Sequence, residues 1–248
     1  MDANLILVSL ASLFAGAIDS IVGGGGLILV PALFAVYPST PAPTLLGTNK
    51  SASVWGTAFA TWRYAQRVQI NWAVMLPAFA AALLGSLGGA YTVTQIDPSM
   101  FRKLLPVILL GVLIYTLWQK QLGAEHSPAG SLTRQRNVAC GIGLVIGWYD
   151  GFFGPGTGSF FIFLFVRLLG YDFLNASANA KLLNVATNLA AIALFASKGY
   201  IWWHVGLTMA VANVVGSLAG AHLALRYGSG FVRWVFVLVV GLLIVKTG

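Results

Sequence analysis

The chain has 248 residues, of which 58% are hydrophobic and 8% are charged, and its formal net charge is +8. Soluble domains carry about 25% charged residues, so this composition excludes a soluble globular protein and favours a multi-pass membrane protein made of helices. The basic residues are scattered among the connections and form no stripe, so they indicate positively charged loops on one side of a membrane and no nucleic-acid partner.

The first half of the chain contains four apolar segments that are separated by short connections. They are expected at 4–37, 44–65, 72–94 and 104–118. The connections contain stop and turn signals, such as the proline-rich stretch 38–43 and the pair Asp97 and Pro98. Four consecutive glycines, Gly23 to Gly26, lie inside the first segment and predict a break in its helix, because glycine is a poor helix former.

A polar stretch at 119–137 follows and has the composition of a solvated linker. Beyond it, four more apolar segments are expected at 138–169, 175–196, 204–225 and 232–245. The chain is therefore predicted to comprise a first membrane repeat at 1–118, an inter-repeat linker at 119–137 and a second membrane repeat at 138–248.

The second half copies the first at an offset of 131 positions. The matched pairs are Gly16 and Gly147, Asp19 and Asp150, Gly23 and Gly154, Gly25 and Gly156, and Lys50 and Lys181. One register that holds over nearly the whole half indicates an internal duplication. The predicted fold is an all-α polytopic membrane protein with two four-segment repeats, each opening with a glycine-broken helical hairpin.

The first segment decides whether the repeats are parallel or inverted. At 34 residues it is long for one span of about 20 residues and short for two. If it is a re-entrant hairpin, the repeats are inverted, and the basic residues then divide eight to four between the two sides, against seven to five for a single crossing. We therefore favour inverted repeats with the linker in the cytoplasm.

Two lysines, Lys50 and Lys181, lie inside apolar segments and at matched positions. A charge at membrane depth costs about 2.5–3.5 kcal/mol, so such a lysine is normally paired, hydrated or functional. Polar residues share its helix face in each half, and they are Ser53, Thr57 and Thr61 after Lys50, and Asn184 and Asn188 after Lys181. These stripes predict a cavity lining, whereas the alternative is that they join helices while the lysines reach towards an interface.

The glycine breaks predict an anion site. A second half-helix is expected to start near Leu27 and near Ser159, and the N-terminus of a helix presents unpaired N–H groups with about half a positive charge. The residues expected to present backbone to the anion are Gly23, Gly24, Gly25, Gly26, Gly154, Gly156, Thr157 and Gly158. Close packing of helices is the alternative reason for so many small residues, whereas the spacing of a phosphate-binding loop is absent.

Two carboxylates, Asp19 and Asp150, precede the breaks by four residues. Carboxylates inside a membrane serve as proton carriers or as partners of a buried lysine. The alternative is a structural role, in which each carboxylate accepts hydrogen bonds from the backbone of the break. No cofactor or metal site is expected, because the chain has one cysteine, Cys140, and its three histidines lack ligand spacing.

The motif GxxDxxxGxGG at 16–26, its copy GxxDxxxGxG at 147–156 and the trailing lysines resemble the TauE/SafE family of sulfite and organosulfonate exporters. The resemblance covers essentially the whole chain. It implies a carrier of about eight segments in the inner membrane that moves sulfite or small sulfonates, often outward. The second copy departs from the all-glycine run at Pro155 and Thr157.

The sequence therefore predicts a secondary transporter, and no enzyme, that moves a small oxyanion by alternating access in contact with the lipid bilayer, with a proton as the candidate coupling ion. Two alternatives remain open at this stage. One is a cation or metal carrier that uses Asp19 and Asp150, and the other is a membrane assembly subunit without transport activity.

Overall fold

A computed structural model describes residues 3–96, 127–128 and 130–247 of the chain, and no strand occurs within them. The expected segment 104–118 and the linker residues 119–126 and 129 lie outside this range. The helices of the first half are α1 (Ala3–Val22), α2 (Gly26–Val36), α3 (Ala42–Ala65) and α4 (Trp72–Val93). Those of the second half are α5 (Leu132–Phe152), α6 (Thr157–Leu164) with a π-helical extension (Phe165–Leu169), α7 (Phe173–Ser197) and α8 (Trp203–Thr247).

The prediction of an all-helical membrane protein is confirmed for these residues. Four stretches are long and apolar enough to cross a membrane, and they are Ala3–Val22, Trp72–Val93, Phe173–Ser197 and Trp203–Gly228. Large apolar side chains point outward along them, with Phe14 61%, Leu76 65% and Val211 68% exposed. An apolar outer surface of this kind is suited to contact with lipid.

One segment boundary differs from the sequence-based expectation. Helix α5 begins at Leu132, inside the stretch predicted as a linker, because the Ser131 hydroxyl accepts a hydrogen bond from the Arg134 N–H (3.3 Å) and caps the helix. Within α8 the backbone leaves the helical conformation at Gly228, with φ 73° and ψ −166°, so two helices meet there. This break lies between the segments expected at 204–225 and 232–245.

The chain reverses direction at the four-glycine run. Helix α1 ends at Val22 and α2 begins at Gly26. Gly25 already lies beside Ala15, since a Cβ built on it would be 2.6 Å from the Ala15 carbonyl oxygen. Helix α2 then runs back along α1, and its Leu33 belongs to the same apolar cluster as Val8.

The second break has the same form. Helix α5 ends at Phe152 and α6 begins at Thr157. The Tyr149 hydroxyl donates a hydrogen bond to the Pro155 carbonyl oxygen (2.6 Å), and the Tyr149 ring packs edge-on against Phe160 at 5.4 Å. Because Phe160 follows the break while Tyr149 precedes it, α6 also folds back along the helix before it.

Close helix pairs join the two halves of the chain. Helices α1 and α8 run in the same direction, since the Ser12 hydroxyl donates to the Met209 carbonyl (2.9 Å) and Ser217, further along α8, donates to the Gly16 carbonyl (3.2 Å). Without a side chain, Gly16 lets the α8 backbone approach closely.

Helices α4 and α5 also run in the same direction, with Gly143 against Ala78 and Gly151 against Ser86. Helices α3 and α7 cross the centre of the molecule in opposite directions. Gly47, near the start of α3, packs against Phe195 at the end of α7, whereas Tyr64 at the end of α3 contacts Lys181 near the start of α7. The lysine-bearing helices therefore face each other between the two breaks.

Candidate functional site

The two helix breaks touch each other directly. The Ser159 N–H donates to the Gly23 carbonyl oxygen (3.1 Å), and the Ser159 hydroxyl donates to the Val22 carbonyl oxygen (2.9 Å). A Cβ built on Gly158 would lie 2.5 Å from the Gly23 Cα. Gly23 also has φ +74°, a value that L side chains rarely adopt. This backbone-to-backbone contact therefore requires glycine on both sides.

A cavity of about 30 Å³ lies beside this contact, enclosed by α1, α3, α5 and α7 and by the first residues of α2 and α6. Its lining consists of Asp19, Gly23, Gly26, Asn49, Lys50, Ser53, Thr57, Asp150, Gly154, Thr157, Gly158, Asn184 and Asn188. All but Asn49 are candidate residues from the sequence. The structure therefore brings most of the predicted site together around one cavity, with contributions from both halves of the chain.

Four candidate residues do not line the cavity, and they are Gly24, Gly25, Gly156 and Lys181. Gly25 and Gly156 instead shape the turns that end the breaks: Gly25 packs against Asp19 and Gly156 has φ +81°. Thr61, which the sequence placed on the Lys50 stripe, donates to the Thr57 carbonyl oxygen (2.8 Å) and also lies outside the lining.

Asn49 is the lining residue that sequence reasoning missed. It lies four residues before Ser53 and eight before Thr57, so it shares their helix face. Spacing from Lys50 gives only the residues that follow it on this face, because the charge is the stronger signal in the sequence. The Asn49 side-chain oxygen is buried without a hydrogen-bond partner among the described residues, so it can accept a hydrogen bond from a ligand.

Lys50 forms a buried ion pair across the two halves of the chain. Its ammonium lies 2.5 Å from an Asp150 carboxylate oxygen, and both side chains are at most 5% exposed. No other ion pair occurs within the described part of the chain. Since α3 supplies the lysine and α5 the aspartate, this pair ties the centre of one half to the break of the other.

Asp19 has a different set of partners. Its carboxylate accepts hydrogen bonds from the Gly25 N–H and from the Thr57 hydroxyl, both at 3.3 Å. The first of these bonds fixes the turn of the glycine break, and the second connects that turn to α3. This geometry supports the structural role considered for Asp19 from the sequence.

Lys181 is 1% exposed, and its ammonium makes no hydrogen bond to a described residue. The ammonium lies 4.7 Å from the centre of the Tyr64 ring, at cation–π distance, and close enough to Asp19 for electrostatic attraction. The Tyr64 hydroxyl in turn donates a hydrogen bond to the Ser20 carbonyl oxygen (2.9 Å). The two matched lysines therefore have different surroundings, because Lys50 lines the cavity and Lys181 lies behind it.

Two helix N-termini face the cavity. Gly26 is the first residue of α2, Thr157 and Gly158 are the first two of α6, and all three belong to the lining. The first N–H groups of a helix have no partner within it and carry about half a positive charge. The Asn184 and Asn188 side chains add amide groups from α7, so the cavity can offer several donors to an oxygen-rich anion.

Comparison with known proteins gives a consistent picture. The family model described as "Sulfite exporter TauE/SafE" matches residues 8–247. A probable membrane transporter protein of Haemophilus influenzae is 34% identical over 244 residues, covering 94% of this chain and 91% of that protein. The probable membrane transporter protein YfcA of Escherichia coli K12 is 36% identical over 233 residues, covering 92% of this chain and 83% of that protein. No solved structure matches the chain.

Proposed function

The chain belongs to the sulfite exporter TauE/SafE family of membrane transporters, and from that premise we propose that it exports a small oxyanion, sulfite or a small organosulfonate, across the cytoplasmic membrane as a secondary transporter. The observation that carries the proposal is the cavity at the contact of the two breaks, where two helix N-termini and Lys50 converge. Oriented N–H groups and a cation in a site shielded from water stabilise an oxyanion more strongly than they would in water.

In the proposed complex the anion lies between the breaks. The N–H groups at Gly26 and Gly158 donate to its oxygens, and the Lys50 ammonium neutralises its charge. The side chains of Ser53, Thr57, Asn184 and Asn188 supply further hydrogen bonds from α3 and α7. Lys181 acts from behind the cavity, where its positive charge adds to the local potential without direct contact.

The candidate coupling ion is a proton, and we place it at the Lys50–Asp150 pair. The Asp150 carboxylate accepts a hydrogen bond from Lys50, so an anion that approaches this lysine meets a negative charge in a low-dielectric site. A proton carried together with the anion would remove this repulsion, so the proposal links binding of the oxyanion to binding of a proton at the Lys50–Asp150 pair. In the state described here, Asp19 is held at the break by hydrogen bonds from the Gly25 N–H and the Thr57 hydroxyl.

Alternating access follows from inverted repeats at 1–118 and 138–248, which the linker 119–137 joins. Matched contacts support this: Gly16 packs against Asn213, and 131 positions away from each, Gly147 packs against Ala82. The matched helices α3 and α7 run in opposite directions, as expected for an axis in the membrane plane. One half would rock against the other around the fixed pair of breaks.

The positive charges support an assignment of the sides of the membrane. The end where α3 stops and α5 starts, named here the cationic end, carries Arg63, Arg67, Arg134, Arg136, Arg167 and Arg226. Among the described side chains, the opposite end carries Lys198. From the positive-inside rule we infer that the cationic end, and with it the linker, lies on the cytoplasmic side of a bacterial inner membrane.

Efflux of radiolabelled sulfite from proteoliposomes that contain the purified protein tests the proposal. We expect wild-type protein to release sulfite, and replacement of Lys50 or Lys181 by alanine to abolish or greatly weaken the flux. Lys198→Ala is the matched control, because it removes a lysine at a helix end. Undiminished flux in the Lys50→Ala/Lys181→Ala double variant would contradict the proposal.

The same vesicles test the cation-carrier alternative. That alternative needs Asp150 as a cation ligand, yet the Lys50 ammonium already neutralises this carboxylate. We therefore expect no metal flux that survives loss of the lysines and disappears in Asp19→Asn or Asp150→Asn. Size-exclusion profiles of each purified variant separate a transport defect from a failure to fold.

A further inference from the structure

A second pocket lies near the cationic end, outside the central site. It has a volume of about 400 Å³ and is lined by Arg63, Gln66, Arg67, His222, Leu225 and Arg226. Arg63 lies in the last turn of α3, Gln66 and Arg67 follow that helix directly, and the last three residues come from α8. Three guanidinium groups therefore surround one opening, which we name the arginine pocket.

Within the described ranges, no ion pair joins Arg63, Arg67 or Arg226 to an acidic side chain. The Arg226 guanidinium lies 5.5 Å from the centre of the Tyr227 ring. Cations held around one cavity repel each other, so an anion between them is stabilised. The planar donor fork of arginine also matches the oxygens of sulfite and sulfonate groups.

The arginine pocket lies on the same helix as the central site. Thr57 lines the central cavity and Arg63 follows it by six residues on α3. At a rise of 1.5 Å per residue, Arg63 lies about 9 Å further along the helix. That separation is comparable with the Debye length of about 8 Å at physiological ionic strength, so an anion in the pocket is still influenced by charges at the central site.

The opposite end of the molecule differs in charge at the positions that match the pocket. The matched positions, at the offset of 131, are Leu194, Ser197, Lys198, Tyr91, Thr94 and Gln95. They contain one cation where the arginine pocket contains three arginines. The Lys198 ammonium lies 5.4 Å from the centre of the Tyr91 ring. At these matched positions the two ends of the molecule therefore differ in charge, whereas both central positions carry a lysine.

We propose that the arginine pocket is a peripheral binding site for the transported oxyanion. From this pocket the anion passes to the central site when it is loaded from the cytoplasm. This inference rests on the proposed function and adds a kinetic preference to it. A positively charged pocket at the entrance raises the local anion concentration and the association rate. Loading from this side therefore reaches half-saturation at a lower anion concentration. It does not change the equilibrium across the membrane, which the gradients alone determine.

Sulfite transport that is measured separately from each face tests this inference. The protein is reconstituted in vesicles of uncharged phosphatidylcholine, and one orientation is silenced by blocking an accessible cysteine introduced at one end. The variant Arg63→Gln/Arg67→Gln/Arg226→Gln is compared with wild type and with Lys198→Gln. We expect the triple variant to raise KM for loading from the cationic end about three- to tenfold without changing the maximal rate from that end. Because the equilibrium across the membrane is unchanged, the ratio of maximal rate to KM must fall by the same factor from the other end, where we expect a lower maximal rate with KM unchanged.

Ionic strength provides a second readout. In wild type, raising the salt concentration should raise KM at the cationic end towards the value of the triple variant, because screening removes the advantage. Lys198→Gln should leave KM at the cationic end unchanged. If the triple variant matches wild type at both faces, or raises KM equally at both faces, the inference is wrong.

A lipid headgroup is the competing occupant, since it carries the same oxyanion chemistry. If the KM difference appears only when anionic phosphatidylglycerol is added to the vesicles, the pocket binds lipid and the inference is overturned. The result is also separable from the proposed function. If the wild-type protein moves no sulfite, the proposed function is wrong. If the wild-type protein is active and the triple variant is unaffected, only the peripheral binding site is contradicted.

Discussion

Replacing Gly158 by alanine tests whether the contact between the breaks forms the transport site. The added Cβ would lie 2.5 Å from the Gly23 Cα and 2.6 Å from the Gly23 carbonyl oxygen. Carbon atoms in ordinary contact are about 3.5–4.0 Å apart, so the breaks must separate by about 1 Å. Both partners are backbone atoms, and no side chain can rotate to relieve the overlap.

Separating the breaks lowers the free energy of unfolding in two ways. Inserting a methyl group into a packed site costs about 1–3 kcal/mol, and loss of the Ser159 N–H bond to Gly23 adds about 0.5–1.5 kcal/mol. We therefore expect Gly158→Ala to lower the free energy of unfolding by about 2–4 kcal/mol. Because the proposed site takes N–H donors from both breaks, at Gly26 and Gly158, we also expect KM for sulfite to rise about tenfold or more, a loss of about 1.4 kcal/mol of binding.

Gly24→Ala is the matched control. A Cβ on Gly24 would have its nearest neighbour, the Ile18 side chain, at 3.5 Å, which is an ordinary contact. Its φ is not positive, and Gly24 does not line the cavity. This variant should keep the wild-type KM and change the unfolding free energy by no more than about 1 kcal/mol. Equal KM and stability in the Gly158→Ala and Gly24→Ala proteins would refute the reasoning.

Two further predictions concern the buried pair and the topology. Lys50→Met should lower the free energy of unfolding of the detergent-solubilised protein by about 3–5 kcal/mol, because the Asp150 carboxylate is left buried and unpaired. Adding Asp150→Asn should restore most of this loss. Additive effects of the two changes would contradict a direct pair. After Cys140 is replaced, membrane-impermeant thiol reagents should label Gln66→Cys and Lys198→Cys from opposite sides of the membrane, whereas labelling from one side would indicate parallel repeats.

The local features of the chain could be predicted because their causes are local. Four glycines interrupt a helix wherever they occur, and a lysine in an apolar segment is costly in any membrane fold. The repeated spacing of Asp, Gly and Lys then indicated that the two sites are related. The start of α5 was missed for an equally local reason, since the Ser131 cap outweighs the polar composition that suggested a linker.

The partners of the charged residues could not be predicted, because they depend on how the halves pack. Lys50 pairs with Asp150 of the other half, although Asp19 lies in its own half. Lys181, at the matched position, contacts the Tyr64 ring instead. Spacing along one helix gives the face on which a side chain lies, but the residue opposite that face comes from a helix more than a hundred positions away.

The different surroundings of Lys50 and Lys181 would be exchanged if the two halves exchange conformations, as proposed for alternating access. The exchanged state would pair Lys181 with Asp19 and free Lys50 from Asp150. Phe195 matches Tyr64 and Asn188 matches Thr57 at the offset of 131. In the exchanged state we therefore expect the Phe195 ring to face the Lys50 ammonium and the Asn188 amide to donate to Asp150. Each lysine then alternates between a carboxylate and an aromatic ring, so the number of buried ion pairs is the same in both states. Equal numbers of ion pairs keep the two states close in energy, which a carrier needs if both faces are to open in turn.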